Sequence, residues 1–317
     1  MCGILGVKVN AVTPELVANM KKVFTNQEHR GKIGCGVARQ RNGILQRLRG
    51  TTASQLFEDK GFISFWQDLK PGDLVIGHHR YATTGGNGYC TESNHPVANE
   101  NKNLMLVHNG HISGYTKVHD ELRQSGHKFE TEIRTMTNSG FVLGADITDS
   151  EVLVHLLEGG LVEDTINRMK NLNGSYAIAF LKANAHRIYL YRETSPIQVY
   201  EDKAGNIYFS SERPKEAEFI NHVTLKEGVL YAIGGSGLKY VKKVKDISTY
   251  SYSGYGNGQT KLKPALAPVK AMKNPYNYDD DDDYGDTDDN IDKDEADSNY
   301  QEEVKEMLKE MRGAKKW

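Results

Sequence analysis

Cys2 stands beside the initiator methionine and is followed by Gly3. With Met1 removed, a thiol and a free α-amine share one residue. An α-amine titrates near about 7.7–8.0, so at neutral pH it can take the proton of the adjacent thiol. Nucleophile and base then travel together, the self-activated arrangement of an N-terminal nucleophile. A second constellation is Gly77-His78-His79-Arg80-Tyr81-Ala82-Thr83-Thr84-Gly85-Gly86, an arginine at a strand end followed by hydroxyls and glycines. A guanidinium fork beside a hydroxyl suits a small carboxylate, and the glycines suit a closing lid. The third is Val107-His108-Asn109-Gly110-His111-Ile112. It reads locally as a strand ending in an Asn-Gly turn. Chemically, the Asn109 amide and the Gly110 N–H are two donors that suit a developing oxyanion. The fourth, Thr148-Asp149-Ser150-Glu151, reads as a capping box with Glu151 reaching back to Thr148. Asp149 then projects from the first helical turn, free to meet a ligand ammonium.

His78, His79, His95, His108 and His111 fall close together, with Cys90 among them. Adjacent strand residues face opposite sides, which separates His78 from His79. The sequence has no Cys-x-x-Cys or His-Glu-x-x-His spacing, Walker loop or dinucleotide fingerprint. No metal and no cofactor are expected.

These residues need elements to hold them. A strand over 2–9 carries Cys2, and Thr13-Pro14 starts a helix over 14 to about 28. Strands follow near 34–40 and 43–49, then an apolar patch at Phe57–Phe65 and a strand from Leu74 through Arg80. Helical patterns cover Tyr115–Gln124, Ser150–Leu157 and Val162–Leu172. Strands are expected at 175–182, 187–193, 196–201, 206–211, 228–233 and 238–245, with Lys203-Ala204-Gly205-Asn206 as a hairpin turn. Strands and helices are grouped, not alternating, which favours sheet-on-sheet layers flanked by helices.

The 317 residues suffice for a sizeable core, and three cysteines are too few for a disulfide scaffold. No apolar run approaches a membrane span and mean hydropathy is −0.60, so no membrane association and a cytoplasmic setting are expected. The net charge of −2 hides an asymmetry. Between Asp279 and Asp297 lie eleven aspartates and one glutamate against Lys293 alone. Such a block cannot offset its ordering entropy, so an acidic disordered tail is expected over 274–298. A linker rich in Tyr, Ser and Gly precedes it at 247–273. A short amphipathic helix follows within 299–317, with Val304, Met307, Leu308 and Met311 on one stripe. Residues 1–278 sum to +8, yet no nucleic-acid motif accompanies that charge, and a nucleic-acid partner is not expected.

In this order the motifs are specific. The chain resembles the class II glutamine amidotransferases, whose domain has an N-terminal cysteine nucleophile. The matching stretches are Cys2-Gly3-Ile4-Leu5-Gly6, His29-Arg30-Gly31 with Gly36, Gly77–Gly85, His108-Asn109-Gly110, Thr148–Val152, Leu172–Ala177, and Arg192 with Ser195-Pro196. Lys32-Ile33 and Cys35 depart from the family pattern. The resemblance implies an α+β, four-layer αββα N-terminal nucleophile hydrolase sandwich over 2–246, hydrolysing L-glutamine to glutamate and ammonia. By matched position Cys2 is the nucleophile, and Asn109 and Gly110 form the oxyanion hole. Arg80 and Thr83 bind the substrate α-carboxylate, Tyr81 and Thr84 are further substrate-binding residues, and Gly110 lies close to the substrate. Asp149 pairs with its ammonium, and residues 84–95 resemble the lid. A separate ammonia-accepting synthase subunit is the expected partner. Two alternatives share the motifs: an amidase for other γ-glutamyl compounds, and a non-catalytic glutamine-sensing subunit.

Overall fold

In the computed structural model, Ile4 and Leu5 enter different hydrophobic cores, as neighbours on one strand must. The structure describes residues 2–81, 91–131, 133–136, 142–158, 162–214 and 219–245. The expected linker, acidic tail and terminal helix lie outside the described residues. So do Thr83, Thr84 and most of the expected lid.

Numbered along the chain, one antiparallel sheet runs in the order β13 (Asn221–Thr224), β11 (Gln198–Glu201), β12 (Ile207–Ser210), β1 (Gly3–Lys8), β4 (Leu74–His79), β2 (Cys35–Arg41) and β3 (Ile44–Gly50). The second runs β15 (Gly237–Lys243), β14 (Val229–Gly234), β10 (Ala185–Arg192), β9 (Gly174–Lys182), β6 (Leu104–Ile112) and β5 (Val97–Ala98). A small hairpin joins β7 (Ile133–Met136) to β8 (Val142–Asp146). Three cores separate four layers. Ile4, Ala38 and Ile76 from the first sheet meet Val107, Ala179 and Leu190 from the second. Outside the first sheet, Leu5, Val37 and Val75 pack on Leu16, Met20 and Phe24 of α1 (Pro14–Thr25). Outside the second, Leu106, Ile178 and Tyr191 pack on helices α5 (Asp149–Leu156) and α6 (Val162–Lys170) through Leu153, Ile166 and Met169. Each layer hides a face that its neighbour also needs to hide. The αββα sandwich expected from the sequence is therefore present.

Two local readings are corrected, and segments without an assignment gain one. The Phe57–Phe65 patch is helical, split into α2 (Gln55–Glu58) and α3 (Lys60–Gln67). Asp59 starts α3 because its carboxylate accepts from the N–H groups of Gly61 (2.8 Å) and Phe62 (3.4 Å). The first helix stops at Thr25, and a single 3-10 turn, Glu28–Arg30, follows. Asn109-Gly110 is no turn: β6 continues through both residues to Ile112. The chain turns at Ser113-Gly114 instead, where Gly114 has φ +74° before α4 (Tyr115–Gln124). The short strands β5 and β13 went unread, as they offer two and four residues of pattern.

Among the described residues, polar contacts join the sheets at more than one point: His78 Nε2 of β4 lies 2.9 Å from the His108 carbonyl of β6. Gln40 of β2 donates through Nε2 toward the carbonyls of Lys182 (2.7 Å), Ala183 (3.2 Å) and Ala185 (3.0 Å), where β9 turns into β10.

Candidate active site

Cys2 precedes β1, a strand held on both edges by β4 and β12. Three further groups fix its first residues. Ile4 N–H donates to Ser211 Oγ (3.0 Å), and Ser211 N–H donates to Gln27 Oε1 (3.1 Å). Arg30 Nε donates to the Cys2 carbonyl (2.9 Å), while its other arm pairs with Glu212. The thiol donates to the Tyr81 carbonyl at 3.5 Å and accepts from the Tyr81 N–H at 3.4 Å. Burial pushes the Cys2 thiol up, against the opposing pull of the Tyr81 hydrogen bond and the Arg80 guanidinium. Among the described residues, no imidazole or carboxylate hydrogen-bonds its sulfur.

Arg80 follows β4 and is buried. Its backbone N–H donates to the Gly34 carbonyl (2.8 Å), and Nη1 donates to Asn94 Oδ1 (3.1 Å). Asn94 is itself tied to the Gly50 carbonyl at 2.8 Å. This wall needs glycine at 34, because a Cβ there would lie 2.3 Å from Asn94 Oδ1. His95 completes the wall, with its ring 4.0 Å from that of His78 and both nitrogens without a hydrogen-bond partner. Burial drives both imidazoles well below their ordinary value, so they are neutral at pH 7. His79 faces the other way, its Nε2 2.9 Å from the Phe24 carbonyl, as strand alternation requires.

Asn109 and Gly110 lie on β6 opposite Ala177 and Tyr176. The Asn109 side chain is buried and its Nδ2 has no hydrogen-bond partner. A buried amide donor left open costs roughly 1–3 kcal/mol unless something else satisfies it. Gly110 adopts φ +146°, and a Cβ there would sit 2.0 Å from the Ser175 carbonyl oxygen. Only glycine allows the ladder to pass this point with the strand distorted.

Asp149 opens α5, where an anion is favoured by the helix dipole. Its Oδ2 accepts from Ile112 N–H (3.0 Å) and its Oδ1 from Ser150 Oγ (3.3 Å). The nearest imidazole nitrogens, of His111 and His108, stand at 3.6 and 3.7 Å. It is therefore anchored to β6, not free as the sequence suggested. The capping box is half present. Thr148 Oγ1 accepts from Glu151 N–H (3.3 Å), but the Glu151 carboxylate turns away, accepting from the backbone of Glu130 (2.5 Å) and Thr131 (2.6 Å).

Cys2, Arg80, Tyr81, Gly110 and Asp149 line one pocket. Tyr81 contributes its backbone to the thiol, while its side chain is exposed. Asn109 is buried next to Gly110 along the same strand. His95, His108, Thr148 and Ser150 also line the pocket and were not read as ligands, nor was Arg30 seen as the holder of Cys2. Asn94 and His95, at the end of the expected lid, are buried in the wall instead of covering it. Cys35 is remote in role: it donates to the Thr52 carbonyl (2.9 Å), and burial pushes its thiol up to about 12.

Residues 88–215 match a family model described as a glutamine amidotransferase domain. Over 210 residues the chain is 32% identical to the isomerizing glutamine–fructose-6-phosphate aminotransferase of Bordetella pertussis, covering 63% of this chain and 30% of that protein. The protein of the same name from Thermococcus kodakarensis is 28% identical over 253 residues, 77% of this chain and 38% of that protein. The chain thus spans about a third of the length of these curated relatives. In fold it is similar to the glutamine phosphoribosylpyrophosphate amidotransferase of B. subtilis, with TM-score 0.57 and 20% identity over 78% of this chain and 50% of that one. No helix among the described residues is long and apolar enough to cross a membrane. The two-sheet sandwich, the thiol at its edge and these likenesses agree: the chain carries a class II glutamine amidotransferase domain of the N-terminal nucleophile type.

Proposed function

We propose that this domain hydrolyses L-glutamine to glutamate and ammonia, with Cys2 as nucleophile after removal of Met1. The observation that carries the reading is the half-buried Cys2 thiol in one pocket with Arg80, Gly110 and Asp149, without an imidazole on its sulfur. A thiol raised by burial rests protonated and needs a base, and the α-amine of the same residue is the one the chemistry offers. It takes the thiol proton as sulfur attacks the side-chain carboxamide carbon. Charge then develops on the carboxamide oxygen, where Asn109 Nδ2 and the Gly110 N–H donate to it. The proton passes to the departing ammonia as the C–N bond breaks and a thioester remains. Water, deprotonated by the same amine, cleaves the thioester to glutamate. Arg80 holds the substrate α-carboxylate and Asp149 its α-ammonium, so a free amino-acid end is required. Thr83 and Thr84 belong with Arg80 in this reading, and the ammonia goes to a separate synthase subunit.

Glutamate release from glutamine by the purified chain tests this directly, together with the mass of its N-terminus. Cys2→Ala is expected to abolish release. Turnover surviving that substitution, or turnover by a chain that retains Met1, refutes the mechanism. Glutamine outcompeted by other γ-glutamyl compounds in one assay reassigns the substrate but keeps the nucleophile.

A further inference from the structure

The far end of α5 carries a second cluster of donors. Glu100 follows β5, His127 lies beyond α4, His155 is in the last turn of α5, and Glu158 comes just after it. One ligand atom from each of these four lies within 4.8 Å of all the others. His127 Nδ1 is 3.3 Å from Glu100 Oε1 and 3.9 Å from Glu158 Oε2. His155 Nδ1 is 3.2 Å from Glu158 Oε1 and 3.8 Å from Glu100 Oε2. Each ring nitrogen therefore faces two carboxylates.

Hydrogen bonding alone satisfies this square poorly. A neutral imidazole has at most one proton on Nδ1, so two protons can meet only two of the four approaches. A cation at the centre meets all four. Zinc holds nitrogen and oxygen ligands at about 2.0–2.2 Å, which puts tetrahedral neighbours roughly 3.3 Å apart. The two short contacts already have that length, and the two longer ones, made to the other oxygen of each carboxylate, need to close by roughly half an ångström. The His155 side chain is fully buried, and its Nε2 has no partner. Its Nδ1, aimed into the cluster, is thus its polar outlet among the described residues. The surroundings hold the donors in place: Lys128 N–H donates to Glu100 Oε1 (2.6 Å), and His127 N–H donates to the Leu122 carbonyl (3.1 Å).

We propose that Glu100, His127, His155 and Glu158 form a four-ligand site for a divalent transition-metal ion, with zinc the reference member. Two imidazoles and two carboxylates suit such ions better than magnesium or calcium, which take oxygen ligands. Two carboxylate charges neutralise the dication. Four protein ligands leave no open position, so the ion is structural. It ties the β5–β6 loop and the end of α4 to the end of α5, the helix whose first residue is Asp149. Metal binding does not depend on what the pocket hydrolyses, so this proposal and the glutamine reading fail separately.

The test is titration of the full chain, stripped with chelator, with Zn²⁺ and with Co²⁺. One equivalent per chain is expected, with tetrahedral d–d absorption for Co²⁺ and no thiolate charge-transfer band. His127→Gln and Glu158→Gln, each checked for folding by circular dichroism, should weaken binding by more than about 100-fold, beyond the 10–100-fold typical of outer-shell changes. Cys2→Ala should bind as the parent chain does. Absence of uptake, a thiolate band, or parental affinity in both the His127 and Glu158 variants overturns the proposal.

Discussion

Between about pH 7.5 and about pH 5 the protein should lose stability, and His79→Gln should remove a defined share of that loss. His79 is buried against α1, with Nε2 2.9 Å from the Phe24 carbonyl and its ring 3.9 Å from that of Phe24. Burial lowers its pKa to about 4 from 6.5, with the Phe24 hydrogen bond opposing and His29 assisting. The unfolded chain therefore binds a proton between those values that the folded chain refuses. Stability from this group is complete above 6.5 and is lost as pH falls toward 4. Once both values are passed the loss is about 3 kcal/mol, and by pH 5 it is already about 2 kcal/mol. Glutamine at this position keeps a donor for the Phe24 carbonyl but does not titrate. Urea unfolding of both proteins across the range measures the difference. His78, His95 and His108 are lowered by burial in the same sense, so the variant keeps part of the slope. Parallel losses in parent and variant would refute the reasoning.

Three substitutions probe the pocket. Gly110→Ala places a Cβ 2.0 Å from the Ser175 carbonyl oxygen; a stability loss of roughly 2–4 kcal/mol by denaturant titration and loss of turnover are expected. Asn109→Ala removes an unpartnered donor, so kcat should fall by about 10²–10³ with little change in KM and no loss of melting temperature. Asp149→Asn keeps an oxygen for the Ile112 N–H but loses the charge for the ammonium; KM for glutamine should rise by about 30-fold or more, corresponding to about 2 kcal/mol. An unchanged KM in that variant would remove Asp149 from substrate binding.

The parts of the site written as short contiguous motifs were legible in the sequence. Cys2-Gly3, Arg80 after an apolar strand and Thr148-Asp149 each announce a residue type at the end of an element. What joins them was not legible, because it depends on strand order. Tyr81 reaches the Cys2 thiol because β1 pairs with β4, and Arg30, in the turn before β2, comes to the Cys2 carbonyl because β2 pairs with the other edge of β4. Asn109-Gly110 misled for a local reason. Its composition is that of a turn, but pairing with β9 holds it extended, and the glycine is spent on a close approach to Ser175. The histidine count misled in another way. His78, His79, His95, His108 and His111 drew attention by proximity in sequence, whereas the four-residue donor square takes its members from three separate loops and helix ends. The fold class was readable from grouped strands, while the helices around Phe62 were hidden in an aromatic run that suits either conformation.

The amide of Gln40 has a bearing on how this pocket could change over time. Thiol and guanidinium belong to one plate of the sandwich, the distorted glycine and the aspartate to the other. The Gln40 tether sits five residues, about 17 Å, along β2 from Cys35, while His78 and the His108 carbonyl join the plates beside the pocket itself. Loosening the tether would alter the gap across which sulfur meets its target, with every reacting group intact. Selectivity could therefore drift through substitutions at the closed edge of the molecule, far from any residue a comparison of pockets would inspect.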